Sequence, residues 1–226
     1  MKVRIKFTKY GVVKYIGHLD LMRYFQKAFR RTDIQIIYSK GFSPHMLMSF
    51  ASPLGVGIEG YGEYFDVEVA DSEDYTLIKD KLNATMAEGI EILDVVLLPD
   101  SAGNAMASVE ASDYELEFHK ENPLSEELLN KYKKADSVIF VKELKSGPLP
   151  VNVKDLVYDI KLIKDNVLFA RVNSSSADNL RPAALLTALL SLEDKDLNDY
   201  PYHTLRREIY RKNKQGELVP MGDVND

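Results

Sequence analysis

The hydrophobic period of this chain changes from two to 3.6 within its first thirty residues. Val3, Ile5 and Phe7 alternate with Lys2, Arg4 and Lys6, the pattern of a strand with one buried face. From residue 19 the period lengthens: Leu19, Met22, Phe25, Ala28 and Phe29 recur at helical spacing, opposite Asp20, Arg23, Tyr24, Lys27, Arg30 and Arg31. That is an amphipathic helix with a cationic outer face. Gly17 and His18 mark its start, and Asp20 sits in its first turn, where the helix dipole favours an anion. A chain that switches period in this way packs helices onto a sheet.

The same reading continues along the first hundred residues. Residues 34–38 form a second strand, and the Gly/Pro-rich stretch after them is read as a long functional loop or an irregular hairpin. Residues 63–69 form a third strand with Phe65, Val67 and Val69 inward. Ser72 and Asp74 open a second helix whose stripe is Tyr75, Ile78, Leu82 and Met86, with Gly89 placed to end it. Residues 92–98 are the fourth strand. The order strand, helix, strand, strand, helix, strand is the split βαβ, or ferredoxin-like, arrangement, with antiparallel strands and both helices on one face. Its first and third strands are neighbours. Lys2, Arg4 and Lys6 then lie beside Tyr64, Asp66 and Glu68 on the uncovered face, where opposite charges pair.

Residues 100–108 are small and polar, the composition of a linker. Beyond them come a strand at 114–118, a short helix at 125–134, a strand at 138–141, a hairpin of 157–163 with 167–172, and a helix opened by Pro182 at its first turn. A basic helix or strand at 205–212 follows. The expected fold class is therefore α+β with two ferredoxin-like units, at 1–100 and 108–212, and a flexible tail at 213–226.

Cysteine is absent, which excludes disulfides, thiolate zinc sites and cysteine-ligated iron–sulfur clusters for this chain by itself. No apolar run approaches the roughly 20 residues of a spanning helix, and the amino terminus lacks the apolar core of a signal peptide. A cytoplasmic protein with no membrane partner is expected. Net charge is −6, yet the first fifty residues hold ten Lys or Arg against Asp20 and Asp33, so the remainder carries −14. Such asymmetry marks a basic face for a polyanion or an acidic partner, unless the fold neutralises it internally.

The densest cluster of special residues runs from Lys14 to Asp66. His18 beside Asp20 has the makings of a general acid or base, against the commoner reading of a helix-start histidine. Ser39 to His45 crowds Lys40, Gly41, Phe42 and His45 into one loop, a ligand cradle or a structural turn held by Pro44. Arg23, Lys27, Arg30 and Arg31 are spaced to contact phosphates, and Tyr15, Tyr24 and Phe42 offer stacking surfaces for unpaired bases. Arg181 before Pro182 places a guanidinium at a helix start. Four histidines spread over both halves do not make a metal site.

Several of these segments resemble a known family. The strings GHLDLMR, YSKGFSPH, SFASPLGVG, GEYFDVEV and NLRPAALLTAL are similar to those of a radical-SAM-linked domain of unknown function (domain of unknown function 2344). Its members are encoded beside, or fused to, cobalamin-binding-type radical SAM proteins. The resemblance spans roughly residues 1–212. Three places depart from it: Gly17 stands where Ser is expected, Ser43 where Asn is expected, and Met46–Leu47 where Pro-Lys is expected, which removes a cation from the loop. The resemblance implies a radical SAM partner, to which any iron–sulfur cluster and S-adenosylmethionine would belong, with no cofactor in this chain.

Two readings of different class follow, with a third behind them. One is an accessory module without catalytic activity of its own that presents structured RNA, such as transfer or ribosomal RNA, to that partner through Lys14, Tyr15, His18, Arg23, Lys27, Arg30, Arg31, Lys40, Phe42, His45 and Arg181. Another is a metal-independent ribonuclease using His18 or His45, with Lys40 or Arg23 steadying charge. A scaffold that binds only protein is the third.

Overall fold

The computed structural model describes residues 1–121 and 123–224. It is a mixed α+β structure whose named strand pairs are antiparallel, and the chain divides into two compact units, Met1–Glu110 with Arg206–Asp226, and Ala111–Leu205.

In the first unit β1 (Lys2–Lys9) leads through a 3-10 turn at Gly11–Tyr15 into α1 (His18–Phe29). Then follow β2 (Met48–Phe50), β3 (Glu59–Glu68), α2 (Ile78–Asn83) and β4 (Ile92–Leu97). The strands lie in the order β4-β1-β3, with β2 on the far side of β3. Lys2 pairs with Glu68, Arg4 with Asp66 and Lys6 with Tyr64, the register expected from the charge alternation. Under α1 and α2 lies a core of Val3, Ile5, Phe7, Leu21, Phe25, Phe29, Phe50, Phe65, Val67, Ile78 and Leu82. Phe7, Phe25, Phe50 and Phe65 all contact one another, with centroids 4.7 to 6.0 Å apart, each pair adding about 0.5–1.5 kcal/mol beyond its burial.

Three expectations change here. Residues 34–38 make only isolated bridges, Ile36 to Val69 and Tyr38 to Met46, and the strand beside β3 is Met48–Phe50 instead. The helix stripe is set by Leu21, Phe25, Ala28 and Phe29, leaving Leu19 61% exposed, because Leu21, four positions before Phe25, shares the face that packs into the core and Leu19, six before it, does not. The irregular glycine stretch contains regular structure: β3 begins at Glu59 and runs through Gly60 and Gly62. A Cβ at Gly62 would stand 2.4 Å from the Arg207 carbonyl, and one at Gly60 would stand 2.6 Å from the Glu63 side chain. These glycines serve close approach, not a break in the strand.

The second unit contains β5 (Ala111–Phe118), α4 (Glu126–Lys134), β6 (Ile139–Leu144), β7 (Gly147–Asn152), β8 (Val157–Lys164), β9 (Val167–Asn173) and α5 (Pro182–Leu190). β5, β9 and β8 are neighbours in that order, while β6 and β7 form a separate two-stranded sheet. Ser125 caps α4 by accepting from the Leu128 N–H. α5 is almost wholly apolar and buries Leu185, Leu186, Ala188, Leu189 and Leu190 against Leu116, Phe118, Leu168 and Ala170.

β10 (Tyr202–Lys212) follows, and from Arg206 onward it belongs to the first unit. The expected frayed tail is ordered over its described part: β11 (Leu218–Pro220) pairs with β10, and Met221 is fully buried. Residues 225 and 226 lie outside the described residues. This returning segment also covers the sheet face that was expected to stay open. Tyr64, Ile209, Met221, Ala51, Ala105 and Val109 form a second small core there, with Ala105 on the short helix α3 (Ala105–Ser108) inside the expected linker.

The covering turns a surface ion pair into a buried one. Arg4 is 3% and Asp66 1% exposed, joined Nε to Oδ1 at 2.7 Å and Nη2 to Oδ2 at 3.0 Å, and Arg4 Nη1 donates to the Met221 carbonyl at 2.9 Å. Removing one partner of such a pair strands the other charge. Arg4→Met is expected to destabilise the protein by about 3–5 kcal/mol in denaturant unfolding; a loss below about 1 kcal/mol would mean that Asp66 finds water or another cation.

Candidate functional site

Five of the ten cations in the first fifty residues are held by the fold of the first unit. Lys2 lies 3.5 Å from Asp66 and Lys6 2.6 Å from Glu208; Arg4 is paired as described. Lys14 reaches Glu59 at 3.0 Å and also stands 5.6 Å over the Tyr15 ring. Lys9 is fully buried, and its ammonium donates to the carbonyls of Ile16 at 2.7 Å and Lys14 at 3.2 Å. Burial pushes the Lys9 pKa below its ordinary value; nearby Glu63 opposes the shift and Arg206 adds to it.

The other five point outward. Arg23, Lys27, Arg30, Arg31 and Lys40 are exposed. Arg23 meets Asp20 at 3.3 Å, a loose pair with both side chains about two-thirds exposed. Lys27, Arg30, Arg31 and Lys40 have no ion pair among the described residues. Arg23, Lys27 and Arg30 recur at i, i+4 and i+7 along α1, a stripe about 10 Å long at 1.5 Å per residue.

The loop carrying Lys40 is closed by Ser39 and His45. The Ser39 hydroxyl lies 2.8 Å from His45 Nδ1 and accepts from the His45 N–H at 3.1 Å, while the Ser39 N–H donates to the His45 carbonyl at 2.8 Å. Gly41 takes a φ of +117° that favours glycine. Phe42, at the tip, is fully exposed. His45 also borders a shallow 210 Å³ pocket with Lys2, Ser49, Asp66 and Asn104.

His18 and Asp20 are not brought together. Asp20 bonds to Arg23, and residues two apart on a helix point to different faces. His18 instead sets its ring edge-on to Phe50, centroids 5.2 Å apart. Burial, with the Lys9 charge adding to it, lowers its pKa from the ordinary 6.5, so the imidazole is neutral at pH 7. Arg181 lies in the second unit, exposed at the residue before α5, on the rim of a 620 Å³ groove with Phe140, Lys142 and Leu149.

Sequence reasoning missed the buried pair of Glu63 and Arg206. Arg206 donates Nε to Oε1 at 2.7 Å and also bonds to Oε2, while its Nη atoms reach the Ser52 hydroxyl at 3.1 Å and carbonyl at 3.0 Å. These partners stand 143 and 154 positions apart, and no local period signals such a pairing. Near it Tyr10 and Tyr61 stack at 5.7 Å and 9°, with the Arg207 guanidinium 5.0 Å from the Tyr61 ring.

The lowered His18 pKa has a sign. The folded state takes up this proton less readily than the unfolded chain, so stability is full above about pH 6.5 and declines as pH falls through the folded value. His18→Phe is expected to flatten the dependence of the melting temperature on pH between 7 and 5; an unchanged slope would assign the acid loss to other groups.

The family model described as an uncharacterized protein conserved in bacteria (DUF2344) matches residues 2–182. No curated protein matches the chain in sequence. Among solved structures, the crystal structure of a Cbf5-Nop10-Gar1 complex has a similar fold, with a TM-score of 0.50 at 11% identity. The match covers 92% of this chain and 48% of that one, so the chain spans about half the length of the neighbour. No helix among the described residues is long and apolar enough to cross a membrane.

Proposed function

From a chain that belongs to this family of uncharacterized bacterial proteins, we propose an accessory binding module that holds structured RNA for a partner radical SAM enzyme. The partner class rests on the resemblance of GHLDLMR and YSKGFSPH described above. The RNA rests on one structural observation: Lys27, Arg30, Arg31 and Lys40 are exposed without an ion pair among the described residues, beside Arg23, in a unit that pairs Lys2, Arg4, Lys6 and Lys14 with carboxylates and buries Lys9. Convex cations of this kind fix a phosphate backbone in place without reading its sequence. Phe42 at the loop tip and the exposed Tyr15 ring supply faces on which unpaired bases stack. The order β4-β1-β3-β2 with α1 and α2 over one face also supports reading the first unit as ferredoxin-like, a framework that leaves the outer side of α1 to a ligand. The histidines favour this module over a ribonuclease. His18 is packed on Phe50 and His45 is engaged by Ser39, and among the described residues neither is paired with a carboxylate that would tune it as an acid or base.

The triple substitution Arg23→Glu, Lys27→Glu and Arg30→Glu is expected to weaken retention of transfer or ribosomal RNA by at least about 100-fold at low salt. The unfolding midpoint should stay close to that of the parent, because all three side chains are exposed. Filter binding beside thermal melts reads both. Undiminished retention would remove α1 from the interface.

A further inference from the structure

The two-stranded ribbon of β6 and β7 has one closed edge and one open edge. β7 carries Pro148 and Pro150, opposite Glu143 and Val141. Proline has no N–H to give to a ladder, so these two turn their backbone groups away from β6, and the outer edge of β7 lacks two of its donors. By the same alternation Ile139, Val141 and Glu143 turn their N–H and C=O groups away from β7, while Val138, in the other phase, accepts from the Val153 N–H at 2.9 Å. Among the described residues β6 pairs with β7 alone, and those outward groups have no partner. The edge strand of the first unit is treated differently: along β4, Asn83 donates to the Ile92 carbonyl at 2.9 Å and Lys79 to the Leu93 carbonyl at 2.8 Å. We propose that β6 accepts an extended peptide of a partner protein as an added strand, with alternate side chains entering the groove beside α5.

The groove and its charges define that peptide. Phe140 and Lys142 share a face of the ribbon with their partners Val151 and Leu149, and all four line the 620 Å³ groove together with Leu180 and Arg181. A strand laid along β6 therefore sets every second side chain beside Phe140 and Lys142, where an apolar residue and an acid match them. Lys142 and Arg181 have no ion pair or hydrogen bond among the described residues. Asp178 also lines the groove, so the charge match is set by Lys142, directly beside the added strand. The opposite face offers Ile139 and Val141, 46% and 49% exposed, and takes apolar residues at the intervening positions. An apolar edge of this kind invites aggregation unless a partner covers it. A second copy of this chain fits the edge less well. Antiparallel self-pairing keeps each face in register, so Lys142 meets Val138, Phe140 or its own counterpart, never Glu143, which lies on the other face.

Panning a phage-displayed library of random dodecapeptides on the full-length protein is expected to enrich sequences with apolar residues at alternate positions and an Asp or Glu in phase with them. A synthetic peptide of the enriched sequence should lose at least about tenfold in affinity, read by fluorescence polarisation, when Val141 is replaced by Pro. The Val141 N–H faces away from β7, so Val141→Pro spares the ribbon's own ladder and the melting temperature should hold. Lys142→Glu, at an exposed position, should change the enriched acid to Lys or Arg, which a general loss of structure cannot produce. Lys27→Glu with Arg30→Glu should leave peptide binding unchanged, which separates this test from that of the RNA surface. No enriched pattern, or a peptide bound equally by the parent, Val141→Pro and Lys142→Glu, overturns the proposal. So does a dimer in analytical ultracentrifugation that Val141→Pro dissociates, which assigns the edge to a second copy.

Discussion

Two buried guanidinium–carboxylate pairs organise the first unit. Arg4 with Asp66 and Arg206 with Glu63 each join side chains at most 3% exposed, and each is bidentate, the geometry that best offsets the cost of removing charge from water. Both make use of the returning chain: Arg206 is part of β10, and Arg4 donates to the carbonyl of Met221. A single sheet with helices on one face would leave β1 and β3 with a wet, charged side. Here that side is dried by Tyr64, Ile209 and Met221, and the buried charges of Arg4, Asp66, Glu63 and Arg206 persist because each is paired.

The same pairs decide what the surface presents. Tyr64 shows the principle at a neutral group: buried and bonded to Glu208 at 2.7 Å, its phenol is held well above the ordinary range and stays a donor. Its carboxylate partner also takes Lys6 at 2.6 Å. Cations of β1 are therefore part of the interior, whatever the basic character of the amino-terminal sequence. Among the ten early cations, those facing outward are on the outside of α1, at Arg31 after it and on the Lys40 loop. A net acidic protein can carry such a basic face because screening limits interaction between exposed charges to about 8–10 Å at ordinary ionic strength.

Much of the framework was legible in the sequence. Alternation placed β1 and its register against β3, and Pro182 at the first turn announced α5. The helix phase was harder: Leu19 and Leu21 are both apolar and two positions apart, and only tertiary packing chooses between them. The glycines of β3 misled because Gly60 makes room for the Glu63 side chain of its own strand and Gly62 for the Arg207 carbonyl of β10, a strand far away in the sequence. The ordered end of the chain was missed for a related reason. Residues 215–224 are broken by Gly216, Pro220 and Gly222, and Met221 becomes a core residue through the pairing of β11 with β10. For the candidate site, the sequence marked the cations of α1 and the Ser39–His45 loop, whereas the pairings that remove Lys2, Arg4, Lys6 and Lys14 from consideration depend on partners 45 to 202 positions away.

The division of the early cations into paired and outward-facing sets is best tested by the salt dependence of RNA binding. Four or five phosphate contacts give a slope of about −3 to −3.5 in log K against log salt for single-stranded RNA, which is the expected result. A slope near −7 would mean that all ten cations reach phosphate and that the interior pairs open on binding. Binding indifferent to salt would contradict the account more deeply, since it would leave the exposed face of α1 with no polyanion to meet.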